Sequence, residues 1–236
     1  MNNPDTTRRD EIAAALTEVE RRIAAACAAA GRARQEVTLV AVTKTYPASD
    51  VRLLSGLGVA HVGENRDQEA APKARECAGL PLTWHFVGQI QTNKARSVVS
   101  YADVVHSVDR PRLAEALSRA AAGAGRRVTC LLQVALDDDP GRGGVLPSGV
   151  AALAEAVAAS EGLVLGGVMA VAPLGGDPVR AFARLAEISA DLRTDHPEAT
   201  AISAGMSGDL DHAIAHGSTL VRVGTALLGR RKPFVR

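Results

Sequence analysis

Aromatic residues are scarce in this chain: three Phe, two Tyr and one Trp among 236 residues. A core must then be built from the small aliphatic side chains that dominate the composition. Cysteine is equally rare. Cys27, Cys77 and Cys130 are odd in number and spaced unlike any metal or redox motif, so they read as reduced, buried thiols of a cytoplasmic protein. An excess of one charge is lacking too. Lys+Arg 27 against Asp+Glu 26 leaves a formal +1, which provides no basic field to gather nucleic acid. The terminal run GRRKPFVR reads as a solvated end. No apolar run approaches the ~20 residues of a membrane span. The opening MNNPDTTRRDEIAAAL has no charged-then-apolar layout of a signal peptide. The expectation is a soluble, cytoplasmic protein with neither a nucleic-acid nor a membrane partner.

Low-complexity segments and Pro/Ser-rich linkers are also absent, so residues 1–236 read as one domain. What is present is alternation. Thr7 is expected to cap a first helix through the alanine-rich, periodic stretch EIAAALTEVERRIAAACAAA, which stops at Gly31. Short apolar strands follow: VTLVAV (37–42), VAHVG (59–63), TWHFVG (83–88), DVVHSV (103–108), VTCLLQVAL (128–136), LVLGGVMAV (163–171), TAISA (200–204) and TLVRVG (219–224). Helical stretches such as AEALSRAAAG, SGVAALAEAVAAS and PVRAFARLAEISADL lie between them. Strands that are apolar throughout suit a parallel sheet buried on both faces. Eight such units in a chain of this length point to an α/β fold, a closed (β/α)8 TIM-like barrel with an extra N-terminal helix. A doubly wound open sheet is the alternative, and the strand count favours the barrel.

Barrels of this kind carry their sites at the C-terminal ends of the strands. The first strand, in LVAVTKTYP, runs out at Lys44. A lysine at that mouth is expected to be partly desolvated, which favours the neutral amine able to condense with a carbonyl. The seventh strand runs into ISAGMSGDLDHAIAHG, where Ser203, Gly205, Ser207 and Gly208 form a small-residue turn ahead of a helix. The eighth ends in RVGTALLG, with Gly224 and Thr225 at its corner. Small residues let backbone N–H groups approach an anion, and the loops after strands seven and eight commonly bind phosphate in this fold. Each turn alone has an ordinary structural explanation. Two of them together with Lys44 favour a phosphorylated carbonyl ligand, which pyridoxal 5'-phosphate satisfies.

Six segments, LVAVTKTYP, HVGENRDQEA, WHFVGQIQTNKAR, GGVMAVAP, ISAGMSGDLDHAI and GSTLVRVGTALLGRR, run in order from about residue 37 to the C-terminus. With them the chain resembles the pyridoxal phosphate homeostasis family (the YggS/PROSC group), whose barrel is similar to that of alanine racemase. The resemblance implies pyridoxal 5'-phosphate as cofactor, held by Lys44 as a Schiff base. It also implies phosphate contacts from Ser203 or Ser207 and from Gly224 and Thr225. Arg222 matches the position facing the pyridine nitrogen; Asn65, His85 and Met169 match further pocket positions. Asn65 could instead cap a helix, and His85 and Met169 could fill the core. Tyr46 and Arg142 depart from the family pattern, at positions where relatives often carry a polar or basic residue and a lysine.

Two further patterns resemble metal sites. The acidic turn DDDPGRGGV lacks the spacing and distal glutamate of a calcium loop. His212 and His216 stand four apart without a third ligand or the H-E-x-x-H pattern. Neither is expected to bind metal. The function implied by the resemblance is cofactor buffering or delivery without established turnover, by a monomer whose partners are apoenzymes that need the cofactor or small amino acids. An amino-acid racemase is the alternative. It needs an acid/base on each face of the α-carbon, and neither Tyr46 nor Tyr101 sits in a matching motif. A Schiff-base aldolase acting on a sugar phosphate is the third reading.

Overall fold

The computed structural model describes residues 4–137 and 142–229. Parts of the acidic turn (138–141) and of the basic tail (230–236) lie outside the described residues. Eight strands close into a barrel: β1 Thr38–Val42, β2 His61–Glu64, β3 Thr83–Phe86, β4 Val104–Val108, β5 Val128–Gln133, β6 Leu163–Met169, β7 Ala201–Ser203 and β8 Leu220–Val223. All neighbours are parallel, and β8 returns to β1 with Thr38 opposite Leu220 and Ala41 opposite Val223. The eight apolar runs of the sequence supply these eight strands in order.

The helices are α1 Pro4–Ala29, α2 Ala48–Gly56, α3 Asp67–Glu76, α4 Ala95–Val99, α5 Pro111–Ala124, α6 Val150–Ala158, α7 Pro178–Asp195, α8 Leu210–Ala215 and α9 Thr225–Leu228. Among them none is long and apolar enough to cross a membrane. Strand side chains alternate between helices and lumen. Val105, Val128, Cys130, Leu132, Leu165 and Ile202 pack outward with Leu117, Leu153 and Leu185 of the helical shell. All three cysteines are free and buried.

The first helix begins at Pro4, so Thr7 lies inside it and is not its cap. Proline suits the first turn, where its missing N–H has no partner to lose. The stop is as expected: Gly31 takes φ +65° and Arg32 N–H closes on the Cys27 carbonyl at 2.9 Å. Ile12, Val19, Ile23 and Cys27 form a buried stripe at helical spacing, packed with Leu210, Ile214 and Leu227. Full burial of each aliphatic chain contributes about 1.5–3 kcal/mol, so α1 is an integral cover for the β7–β8–β1 side of the barrel.

Candidate functional site

A cleft of about 710 Å³ opens at the C-terminal mouth. Among the residues singled out from the sequence, Lys44, Asn65, Met169, Ser207, Gly208, Arg222, Gly224 and Thr225 line it. Lys44 lies in the turn just past β1 and is exposed, so the desolvation expected from its place is not found. The next residue, Thr45, has φ +69°, the one positive value outside glycine among the described residues. A β-branched residue rarely adopts this conformation. The turn is held by Thr45 N–H donating to Glu69 Oε2 at 3.1 Å. Beneath it, the Thr43 hydroxyl and the Lys73 ammonium both donate to Glu64 Oε1, at 2.6 and 2.5 Å. Lys73 also reaches the Thr43 carbonyl at 2.8 Å. Glu64 is fully buried, and desolvation pushes its carboxyl upward despite the Lys73 charge.

Asn65 does not cap α3; Arg66 occupies that position. The Asn65 Oδ1 is buried without a hydrogen-bond partner among the described residues. Facing it, Gly88 comes so close that a Cβ there would lie 2.2 Å from the Asn65 carbonyl oxygen. Only glycine lets these two strand-end loops meet.

Met169 reaches the cleft through a bulge. Opposite β5, Cys130 pairs with Leu165 and Leu131 with Gly167, so Gly166 is skipped. The extra residue reverses the alternation. Leu163 and Leu165 pack outward before it, Val168 and Ala170 after it, and Met169 turns inward to the mouth.

The two small-residue loops are braced by α1. Arg22 holds Asp211 through Nε at 3.0 and 3.1 Å, and one of its Nη groups donates to the Ser207 carbonyl. Arg8 pairs with Asp50 at 2.7 Å and donates to the Leu228 carbonyl at 3.1 Å. Within the loop after β7, Met206 N–H donates to Asp209 Oδ1 at 2.6 Å. Gly224 precedes α9, and a Cβ there would stand 3.1 Å from the Val42 carbonyl. The first N–H groups of a helix have no intrahelical acceptor, so this corner can accept an anion. Tyr46 also lines the cleft, its hydroxyl donating to the Gly229 carbonyl at 2.6 Å.

Arg222 projects from β8 into the lumen and is 5% exposed. Burial draws its guanidinium down to about 10, where it still carries its charge at neutral pH. It donates to the Ala170 carbonyl at 2.9 Å and to Ser203 Oγ. Among the described residues it has no ion-pair partner.

Ser203 and His85 do not line the cleft. Of the two serines, Ser207 is at the mouth and Ser203 is fully buried below it. His85 is buried in the lumen, its ring nitrogens against His61 at 3.0 Å and His106 at 2.7 Å. Sequence reading missed His61 and His106, because a single histidine in an apolar strand signals nothing about its neighbours across a barrel. It also missed Glu64, Lys73, Thr45 and Gly88.

The decoys fall elsewhere. His216 caps α8 and sets Nδ1 against the His212 carbonyl at 2.8 Å. No cluster able to hold a metal occurs among the described residues. Arg142 straps two rim loops, pairing with Asp137 at 3.2 Å and donating to the Ala172 carbonyl at 2.7 Å.

A strand-end amine, a lumenal guanidinium and two small-residue corners at one barrel mouth define a barrel of the racemase type, and residues 16–232 match the family described as alanine racemase, N-terminal domain. Alanine racemase from Corynebacterium glutamicum shares the fold, with a TM-score of 0.69 at 19% identity over 93% of this chain and 60% of that one. Much nearer is the pyridoxal phosphate homeostasis protein of Mycobacterium bovis, 45% identical over 95% of both chains. The structure of PipY from Synechococcus elongatus with pyridoxal phosphate bound matches with a TM-score of 0.81 and 37% identity, covering 92% of this chain and all of that one. The chain belongs to the pyridoxal phosphate homeostasis protein family.

Proposed function

We propose that this protein binds pyridoxal 5'-phosphate at the barrel mouth and serves its homeostasis, buffering the cofactor or delivering it to apoenzymes, as a cytoplasmic monomer. One observation carries the reading: Lys44, Arg222 and the Ser207 and Gly224–Thr225 corners all face one cleft. The fit is specific. The cleft offers an exposed primary amine, small-residue corners of the kind that accept phosphate, and a buried asparagine oxygen without a partner among the described residues.

When bound, the cofactor supplies an aldehyde that condenses with primary amines, and Lys44 would hold it as a Schiff base. Ser207, Gly208, Gly224 and Thr225 are the residues placed to take the phosphate. Arg222 would face the pyridine nitrogen. A guanidinium has no acceptor and cannot take up a proton, so a ring nitrogen beside it would stay unprotonated and electron withdrawal would be weak. That suits holding a cofactor better than activating a substrate. Lys44 is exposed, so a carbonyl held on it would be accessible to outside amines, as release would require.

Visible absorbance during titration with pyridoxal phosphate tests this, beside Lys44→Ala. A yellow species that borohydride fixes on Lys44, absent from the variant, is expected. Its absence from both proteins would remove the basis of the reading. Fast racemisation of alanine or serine by the purified protein would replace homeostasis with catalysis.

A further inference from the structure

Five polar side chains cross the barrel lumen in an unbroken line. His61 Nδ1 lies 3.0 Å from His85 Nε2, His85 Nδ1 lies 2.7 Å from His106 Nε2, and His106 Nδ1 lies 2.9 Å from Ser203 Oγ. Ser203 Oγ in turn accepts from Arg222. The line starts on β2, crosses from β4 to β7, and ends on β8. Its His61 end is half-buried and borders a recess at the opposite, N-terminal end of the barrel.

The direction of the line follows from Arg222, which can only donate. Ser203 is fully buried, and its hydroxyl has two partners among the described residues, Arg222 and His106. If it accepted from both, its own hydrogen would have no acceptor, which is unfavourable in a buried site. Ser203 therefore donates to His106 Nδ1. His106 must then carry its proton on Nε2 and donate to His85 Nδ1. His85 likewise donates from Nε2 to His61 Nδ1. Every hydrogen bond points away from Arg222, so the acceptor ends of the dipoles face a buried cation that makes no ion pair among the described residues, Asp209 acting on it only from a distance.

We propose that His61, His85, His106 and Ser203 act as one polarised column that positions Arg222 and opposes proton uptake by His61 at the far end of the barrel. Protonated His61 would present an N–H at Nδ1 to the N–H of His85. The column would have to reverse, leaving Ser203 with two incoming donors and no acceptor for its own hydrogen. By linkage, whatever strengthens the Arg222–Ser203 contact lowers the proton affinity of His61. The charged and titratable groups around His61 are Glu20 of α1, Arg34 of the turn before β1 and His85 of β3. Glu20 and Arg34 pair with each other, at 2.5 and 2.9 Å. His106, deeper in, is fully buried, and burial holds it neutral. The column belongs to the chain's own residues and stands or falls separately from the cofactor reading.

Ring nitrogen-15 shifts of the whole chain, without added cofactor, test the proposal. His85 and His106 are expected as Nε2–H tautomers, unchanged from neutral pH down to about pH 5. In Ser203→Ala the reversal no longer strands a hydroxyl hydrogen, so the His61 midpoint is expected to rise by about one pH unit. Ser203→Thr keeps the hydroxyl and should keep the original midpoint. An Nδ1–H tautomer at either buried histidine overturns the proposal, as does a His61 midpoint that Ser203→Ala leaves in place. The tautomers are read in the unaltered protein, so the test survives a variant that fails to fold.

Discussion

Lys73 and Glu64 face one another in the wall beneath Lys44, both almost inaccessible, with Lys73 at 6% and Glu64 at 0% exposure. Glu64 Oε2 has no hydrogen-bond partner among the described residues. Lys73→Met is therefore expected to leave an uncompensated buried carboxylate and to destabilise the fold by roughly 3–5 kcal/mol at neutral pH. The sign of its pH dependence follows from linkage. Burial already raises the Glu64 carboxyl, and losing Lys73 raises it further. A carboxyl raised in the folded state binds more protons folded than unfolded, so stability falls as pH rises through that range. Urea midpoints should show a smaller deficit at pH 5 than at pH 7; an equal deficit would mean that Glu64 is not its source. At this scale legibility was uneven. Lys44 was readable because a strand end in a barrel has a known address, and Arg222 only through the family resemblance. Lys73 sits in the last turn of α3, in KAR, where a lysine reads as solvent-facing, and only the packing of α3 on β2 reveals its partner.

At the scale of elements, the eight apolar runs and the glycine stop of α1 were legible, since each depends on local composition. The bulge in β6 was not. Strict alternation from Leu163 and Leu165 sends Met169 outward among the helices, whereas the skipped Gly166 turns it to the mouth. Gly167 makes the bulge possible, with φ +143° and a backbone so close to β7 that a Cβ would lie 2.0 Å from the Ala201 carbonyl oxygen. Gly167→Ala is expected to cost roughly 2–4 kcal/mol through strain and displacement of β7. Since β7 carries Ser203 and leads to Ser207, the change should also weaken any phosphate-dependent binding at the mouth. Thermal unfolding beside phosphate-ligand titration checks both, and an unshifted midpoint would show that β6 tolerates the added carbon without the bulge.

For the whole molecule, closure is what turns separate histidines into a system. In an open sheet β4 and β7 would not share a lumen, and His106 could not reach Ser203. Strand count made closure legible, but not what fills the interior, because a lumen is assembled from one or two residues on each of eight strands. Closure also has a thermodynamic signature. Desolvation holds His85 at about 3 and His106 well below its ordinary value. A histidine depressed in the folded state is protonated first in the unfolded chain, so its contribution is present above pH ~6.5 and is lost as the solution is acidified. Each such histidine adds a slope approaching about 1.4 kcal/mol per pH unit. Glu64, raised in the folded state, acts with the opposite sign over its own range, so the total curve mixes both. A difference between proteins separates them. His85→Gln should flatten the dependence of unfolding free energy on pH between about pH 6 and pH 4 by one such slope, leaving the Glu64 contribution untouched. Parallel curves for the two proteins would mean that His85 meets water in the folded state and that the lumen is not the dry, closed interior described here.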